Sequence, residues 1–267
     1  MLNKLRGTRI VWGLTGLLTV VASFFGVINP HIYDGLVAAK YLPGTISQDF
    51  IALIAGILLF IIALIIKERS IALQIIGLGI VGFLFYAYGI YTIEQIYNFL
   101  YFVYMAIFSL SFYAILYSLL NLKKDVCANA EVSNAIRKTS VGFSFLIPLV
   151  FMPLWISMLI PLLISGQRIE NTYGVFIMDL CFIMPAFIIL AVMLMKKNGY
   201  GVLLTPALFV LGVTLLFPVG MAEPVKLIYA MDIPFDAGSL LMYCGISMIF
   251  LVLSVIYIKK LNSNYTK

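Results

Sequence analysis

The sequence predicts an all-α, polytopic transmembrane helix bundle, on three observations. Its 267 residues are 63% hydrophobic and only 10% charged, its mean hydropathy is +1.11, and apolar windows long enough to cross a bilayer recur along its whole length. Soluble chains run nearer half apolar and a quarter charged, so composition excludes a water-soluble domain, a disordered chain and a disulfide-stapled secreted module.

A helix needs about 20 apolar residues to cross about 30 Å of hydrocarbon. Eight windows meet that need: Ile10 to Asn29, Phe50 to Ile66, Ile71 to Ile93, Asn98 to Leu120, Val141 to Ile164, Gly174 to Met195, Val202 to Gly220 and Ala237 to Ile258. Short connectors leave no room for a separate soluble domain, so residues 1–267 read as one transmembrane domain. Lys4, Arg6 and Arg9 ahead of the first window suggest a signal peptide, but its apolar run is longer than the usual 7 to 15 or so residues and reads as a span.

Lys and Arg stay on the cytoplasmic side of membrane helices. With the N-terminus inside, all 17 except Lys40, Arg168 and Lys226 fall on that side. This predicts a multi-pass protein of the cell membrane with both termini cytoplasmic. The net charge of +6 and pI near 9.1 are then a topology signal, not a nucleic-acid footprint. Cys127, Cys181 and Cys244 form no CxxC and read as free thiols.

Sliding the second half onto the first by about 130 residues pairs Arg9 with Lys138, Asp49 with Asp179, Lys67 with Lys196 and Glu94 with Glu223. The pattern predicts a 4+4 internal repeat: a first half over 1–120, a cytoplasmic linker over 121–140 and a second half over 141–267. Four helices per half is an even number, so the halves would be parallel, related by an axis along the membrane normal. Standard helix lengths with basic inner loops explain the basic pairs, and explain the acidic ones less readily, although acidic residues are common in outer loops. The correspondence fades after the seventh window, where Met221 to Asp236 is longer than Glu94 to Tyr97.

Asp179 is the one charged residue inside these windows. It lies five residues in, about 7 Å below the outer end, where an ionisable group faces the bundle interior and finds a partner. Asp49, Tyr101 and Tyr104 are its candidate neighbours. The plainer reading makes Asp179 a helix-start residue favoured by the dipole, as Asp49 reads. Asp49, Asp179, Glu94 and Glu223 cluster at the outer face with Asp34, Glu170, Asp232 and Asp236, and the last four read as solvated surface. A ring of carboxylates at one mouth attracts cations or amines.

In the fourth window Tyr97, Tyr101, Tyr104, Phe108 and Ser111 share a face, with Asn98 and Glu94 at its outer end and Tyr86, Tyr88 and Tyr91 at the same level on the third. An aromatic belt accounts for Tyr88, Tyr91 and Tyr97. Tyr101 and Tyr104 lie deeper, where a phenol needs a partner, so the face lines a cavity or bonds across helices. Pro148, Pro153, Pro161, Pro185 and Pro206 predict kinks in the second half. Gly56, Gly77, Gly79 and Gly82 predict close helix packing.

Absences narrow the chemistry. The lone His31 cannot build a metal or bis-His haem site, no Lys lies mid-span for a Schiff base, and there is no GxxxxGK and no His-activated Ser or Cys. No catalytic residue, metal site or cofactor is read from the sequence.

The stretches YNFLYFVYMAIFSLSFYAILYSLL, DLCFIMPAFIILAVMLMKKNGYG and LPGTISQD resemble a widespread group of bacterial and archaeal multi-pass membrane proteins. The resemblance covers most of the chain through loose, apolar motifs. It implies the class and the eight helices and carries over no activity.

The leading functional expectation is a small-solute or cation conduit, with Asp179, Asp49, Glu94, Glu223, Tyr101, Tyr104 and Asn98 as its candidate binding residues. The alternative is a non-catalytic membrane sensor or partner-binding subunit in which the same carboxylates hold helices together; a membrane enzyme ranks third. The expected partners are the lipid bilayer, a small cation or amine, and another copy or membrane subunit.

Overall fold

The computed structural model describes residues 1–168 and 172–265, so the expectations for Glu170 and Lys267 lie outside the described residues. Among the described residues the chain is helical without a strand, and eight helices are long and apolar enough to cross a membrane. In chain order these are α1 (Leu5–Ile28), α2 (Leu42–Ile65), α3 (Ile71–Ile93) and α4 (Tyr101–Leu120), then α6 (Asn134–Ser165) after the short α5 (Lys124–Ala128). A sixth span joins α7 (Tyr173–Met178) to α8 (Met184–Met195), followed by α9 (Gly199–Ile228) and α10 (Ala237–Tyr265). An isolated antiparallel bridge between Leu2 and Leu122 ties the N-terminal residues to the 121–123 segment.

Two helices form the centre. In α3, 83% of the apolar window is buried and in α9 61%, against 11% in α6, and α3 packs directly on α9. Glycine makes this possible: a Cβ at Gly79 would lie 2.6 Å from the Ala207 carbonyl oxygen, and one at Gly77 would lie 2.1 Å from the Trp12 ring. Lipid tails are as apolar as leucine, so helix association in a membrane depends on such close contact. On α1 the Thr15, Thr19 and Ser23 hydroxyls each donate to the carbonyl four residues back. That internal bonding leaves a thin face on which α2 packs.

Several boundaries differ from the hydropathy windows, three of them with a clear physical reason or consequence. α2 begins at Leu42, eight residues before Phe50, because Pro43 is tolerated in a first helical turn and the polar residues that follow find partners. Ser47 donates to the Pro218 carbonyl at 2.7 Å, and Gln48 approaches that of Ala87 at 3.4 Å. Asp49 therefore sits inside a span, correcting its reading as a helix-start residue and that of Asp179 as the one charge within the spans. α9 runs on to Ile228, since Lys226 neutralises Glu223 one turn away. α6 starts at Asn134, taking about a third of the expected linker into the helix.

The sixth span is not a continuous α-helix. Asp179–Ile183 forms a π turn in which the Met184 N–H bonds to the Asp179 carbonyl. Pro185 follows and has no N–H to give, so the ladder breaks at that point. A π turn shifts the helix register locally, and such turns recur at functional sites.

Candidate functional site

A cavity of about 470 Å³ enters the second half of the chain from the end that carries Lys40, Thr172 and Lys226. Its walls come from the start of α2, from α3, α6 and α9, from the sixth span, and from α10. Most of that lining is apolar and aromatic. Along the sixth span Thr172, Val175, Asp179, Ile183 and Phe187 face it at successive turns, so Asp179 stands at mid-depth.

Asp179 is 5% exposed. Its Oδ2 accepts the Trp155 indole N–H at 2.8 Å, and the buried Tyr86 stands beside the carboxylate. Oδ1 has no hydrogen-bond partner. A buried acceptor left unpaired costs about 1–3 kcal/mol, and more when charged, so this oxygen needs an explanation from what the cavity holds. Below it the cavity ends on packed rings: Phe143 lies 4.8 Å from Phe250, centroid to centroid, and Phe187 and Phe209 each lie 5.9 Å from it.

Charges at the mouth are already spent. Lys226 Nζ meets both Glu223 oxygens, at 2.6 and 2.8 Å, and Glu223 also accepts the Asp236 N–H at 2.7 Å. Lys40 is exposed and lies over the Tyr41 ring. Asp236 caps the start of α10, and the Ser239 hydroxyl it accepts holds its carboxyl below the ordinary range.

Asp49 has a different setting. It is 1% exposed, and both oxygens are occupied: Tyr33 donates to Oδ2 at 2.5 Å and Tyr91 to Oδ1 at 3.0 Å. Burial first, and then the charge of Asp49, push the Tyr33 hydroxyl far above its ordinary pKa, so it stays a donor. The fit is tight enough that a Cβ on Gly26 would fall 1.9 Å from Oδ2.

Of the expected residues, Asp179 and Glu223 line the cavity. Asp49 is connected to it through Tyr91, which lines the wall and bonds to the carboxylate. The other four bind the turn between α3 and α4. Tyr101 donates to the Thr92 carbonyl at 3.0 Å; Asn98 donates to the Tyr104 hydroxyl at 3.1 Å and accepts the Leu100 N–H at 3.0 Å. Glu94 accepts the Gly174 N–H at 2.6 Å, linking that turn to the start of α7. Burial pushes the Glu94 carboxyl up, and the Gly174 bond partly offsets this. The neighbours of Asp179 are thus Trp155, which donates to it, and Tyr86, which stands beside it, in place of Asp49, Tyr101 and Tyr104. Tyr88 and Tyr91 are buried and belong to no interfacial belt, whereas Tyr97 is 61% exposed.

Trp155 escaped the sequence reading, and Tyr86 was placed at the aromatic level without its link to Asp179, although one signal was present. A mid-span indole N–H needs an acceptor, Trp155 is one of two tryptophans, and Asp179 is the acid within reach of the neighbouring span. The chain matches no known protein family, no curated protein and no solved structure.

Proposed function

We propose that this integral membrane protein is a conduit for a small solute or cation, which enters the cavity from outside and is held at Asp179. The observation that carries the reading is the unpaired, buried Oδ1 of Asp179 facing a solute-sized cavity. Pockets of about 300–1,000 Å³ accept small organic ligands. In this reading the phenylalanine cluster is the closed inner gate, the outside is the Lys40–Lys226 end, and both termini are cytoplasmic, as the Lys and Arg distribution favours. The protein resides in the cell membrane.

We read the chain as a 4+4 repeat as well. Its support is that the two central helices, α3 and α9, hold the same rank in each half, and that Asp49 and Asp179 are both buried in their second spans. Superposition of the two halves by rotation about the membrane normal is the test, and halves related by inversion would end the idea.

The closed ring cluster gives the sensor alternative its one support, because a receptor pocket needs no exit. Proteoliposome flux separates the two. Uptake of protons, sodium, methylamine or 2-phenylethylamine above protein-free vesicles, lost in Asp179→Asn while the melting temperature holds, supports a conduit. Absence of flux for all four probes, with folded protein in the vesicles, overturns it.

A further inference from the structure

We infer that the cavity selects a monovalent amine with an apolar body, in preference to an inorganic ion or a neutral solute; this rests on the cavity being the binding site of the conduit. The charge count comes first. At mid-depth the cavity offers one carboxylate whose second oxygen is free, while Glu223 is neutralised by Lys226 at the mouth. One unpaired acceptor matches one ammonium group. A divalent ion such as calcium would need six to eight oxygen ligands or so, and among the described residues no three His, Cys, Asp or Glu converge to supply them.

The walls then specify the rest of the ligand. Trp155, Phe151 and Tyr86 surround the level of Asp179, and an ammonium between a carboxylate and aromatic faces gains a cation–π attraction of about 0.5–2 kcal/mol that neutral ligands lack. Deeper in, the lining is Ile147, Ile183, Leu211, Phe187 and Phe250. From Asp179 to Phe187 is eight residues, about 12 Å at 1.5 Å per residue. Nothing on that stretch can replace the hydration shell of a small ion, whereas an aliphatic or aromatic tail gains by leaving water. The amine therefore sits at Asp179 with its tail toward the phenylalanine cluster.

Equilibrium binding to the purified full chain in detergent tests this with three probes of matched or graded shape: 2-phenylethylamine, its neutral counterpart 2-phenylethanol, and methylamine. The amine with the ring is expected to bind at least ten-fold more tightly than either of the others, and Asp179→Asn to weaken it ten-fold while leaving 2-phenylethanol unchanged. Phe151→Leu, which keeps the charge and an apolar wall, should weaken 2-phenylethylamine several-fold. Equal affinity for 2-phenylethylamine and 2-phenylethanol, or tighter binding of methylamine, overturns the inference. Binding with this selectivity but without flux in vesicles would refute the conduit and leave the ligand class standing; sodium flux without amine binding would do the reverse.

Discussion

The second and the sixth spans each bury an aspartate, and they treat it in opposite ways. In the first half Asp49 is enclosed: Tyr33 and Tyr91 occupy its two oxygens and Gly26 leaves no space beside it. In the second half Asp179 opens a π turn, faces a cavity, and has Trp155 on one oxygen and nothing on the other. A saturated carboxylate fixes helices in place. One with an open coordination position has the capacity to bind, so the difference separates the two acids where burial and residue type do not.

Truncating both acids gives the largest expected contrast. Asp49→Ala strips the buried Tyr33 of its acceptor and leaves Tyr91 only the Thr45 carbonyl, and should cost about 2–4 kcal/mol, whereas Asp179→Ala removes one bond beside a cavity and should cost about 1 kcal/mol or less. Melting curves of the two variants in the same detergent measure this. Equal losses would mean that Asp179 is as structural as Asp49.

A smaller effect tests the enclosure itself. In Gly26→Ala the new methyl meets Asp49 and the Tyr33 hydroxyl, at 1.9 and 2.7 Å before relaxation, and overpacking of this kind costs about 1–3 kcal/mol. Gly245→Ala is the control, because a Cβ there meets nothing within 4 Å; in the middle of α10 it should be neutral or slightly stabilising. If Gly26→Ala melts like the control, the first-half network is looser than its distances indicate.

How far the comparison was legible in the sequence follows from what each signal measures. Hydropathy located all eight spans, since length and apolar content are local quantities. It placed the start of α2 too late because Thr45, Ser47, Gln48 and Asp49 look like a loop until their partners on α3 and α9 are known. It ended α9 too early for the same reason, with Glu223 and Lys226 cancelling in space what they cost in sequence. The repeat alignment paired Asp49 with Asp179 but could not separate their roles, which depend on Tyr33, Trp155 and Tyr86 from other elements. The cavity lies against proline-rich α6 and the span of Pro185, where the sequence marked kinks, whereas the aromatic run of α4 packs on α3 and its Tyr101 and Tyr104 bond locally.

The smallest expected effect lies at the link between α3 and the sixth span. Glu94, at the end of α3, accepts the Gly174 N–H and so holds the start of the span that carries Asp179. Its burial raises the carboxyl pKa in the folded protein above that of an unfolded glutamate. The sign is then fixed by linkage: the unfolded chain loses this proton first as the pH rises, so the contribution is full below the ordinary glutamate range and falls away as the pH climbs through the folded pKa. Glu94→Gln keeps an acceptor oxygen for Gly174 and cannot ionise. The wild-type melting temperature should therefore drop more than that of Glu94→Gln between pH 4 and pH 7 or so, with the two curves converging at the acid end. Because Glu94 is half-buried, solvent screening keeps the difference small. A wild type that gains stability relative to Glu94→Gln over that interval would show that the ionised carboxylate is preferred there, and that the bond to Gly174 outweighs burial at the junction of α3 and the sixth span.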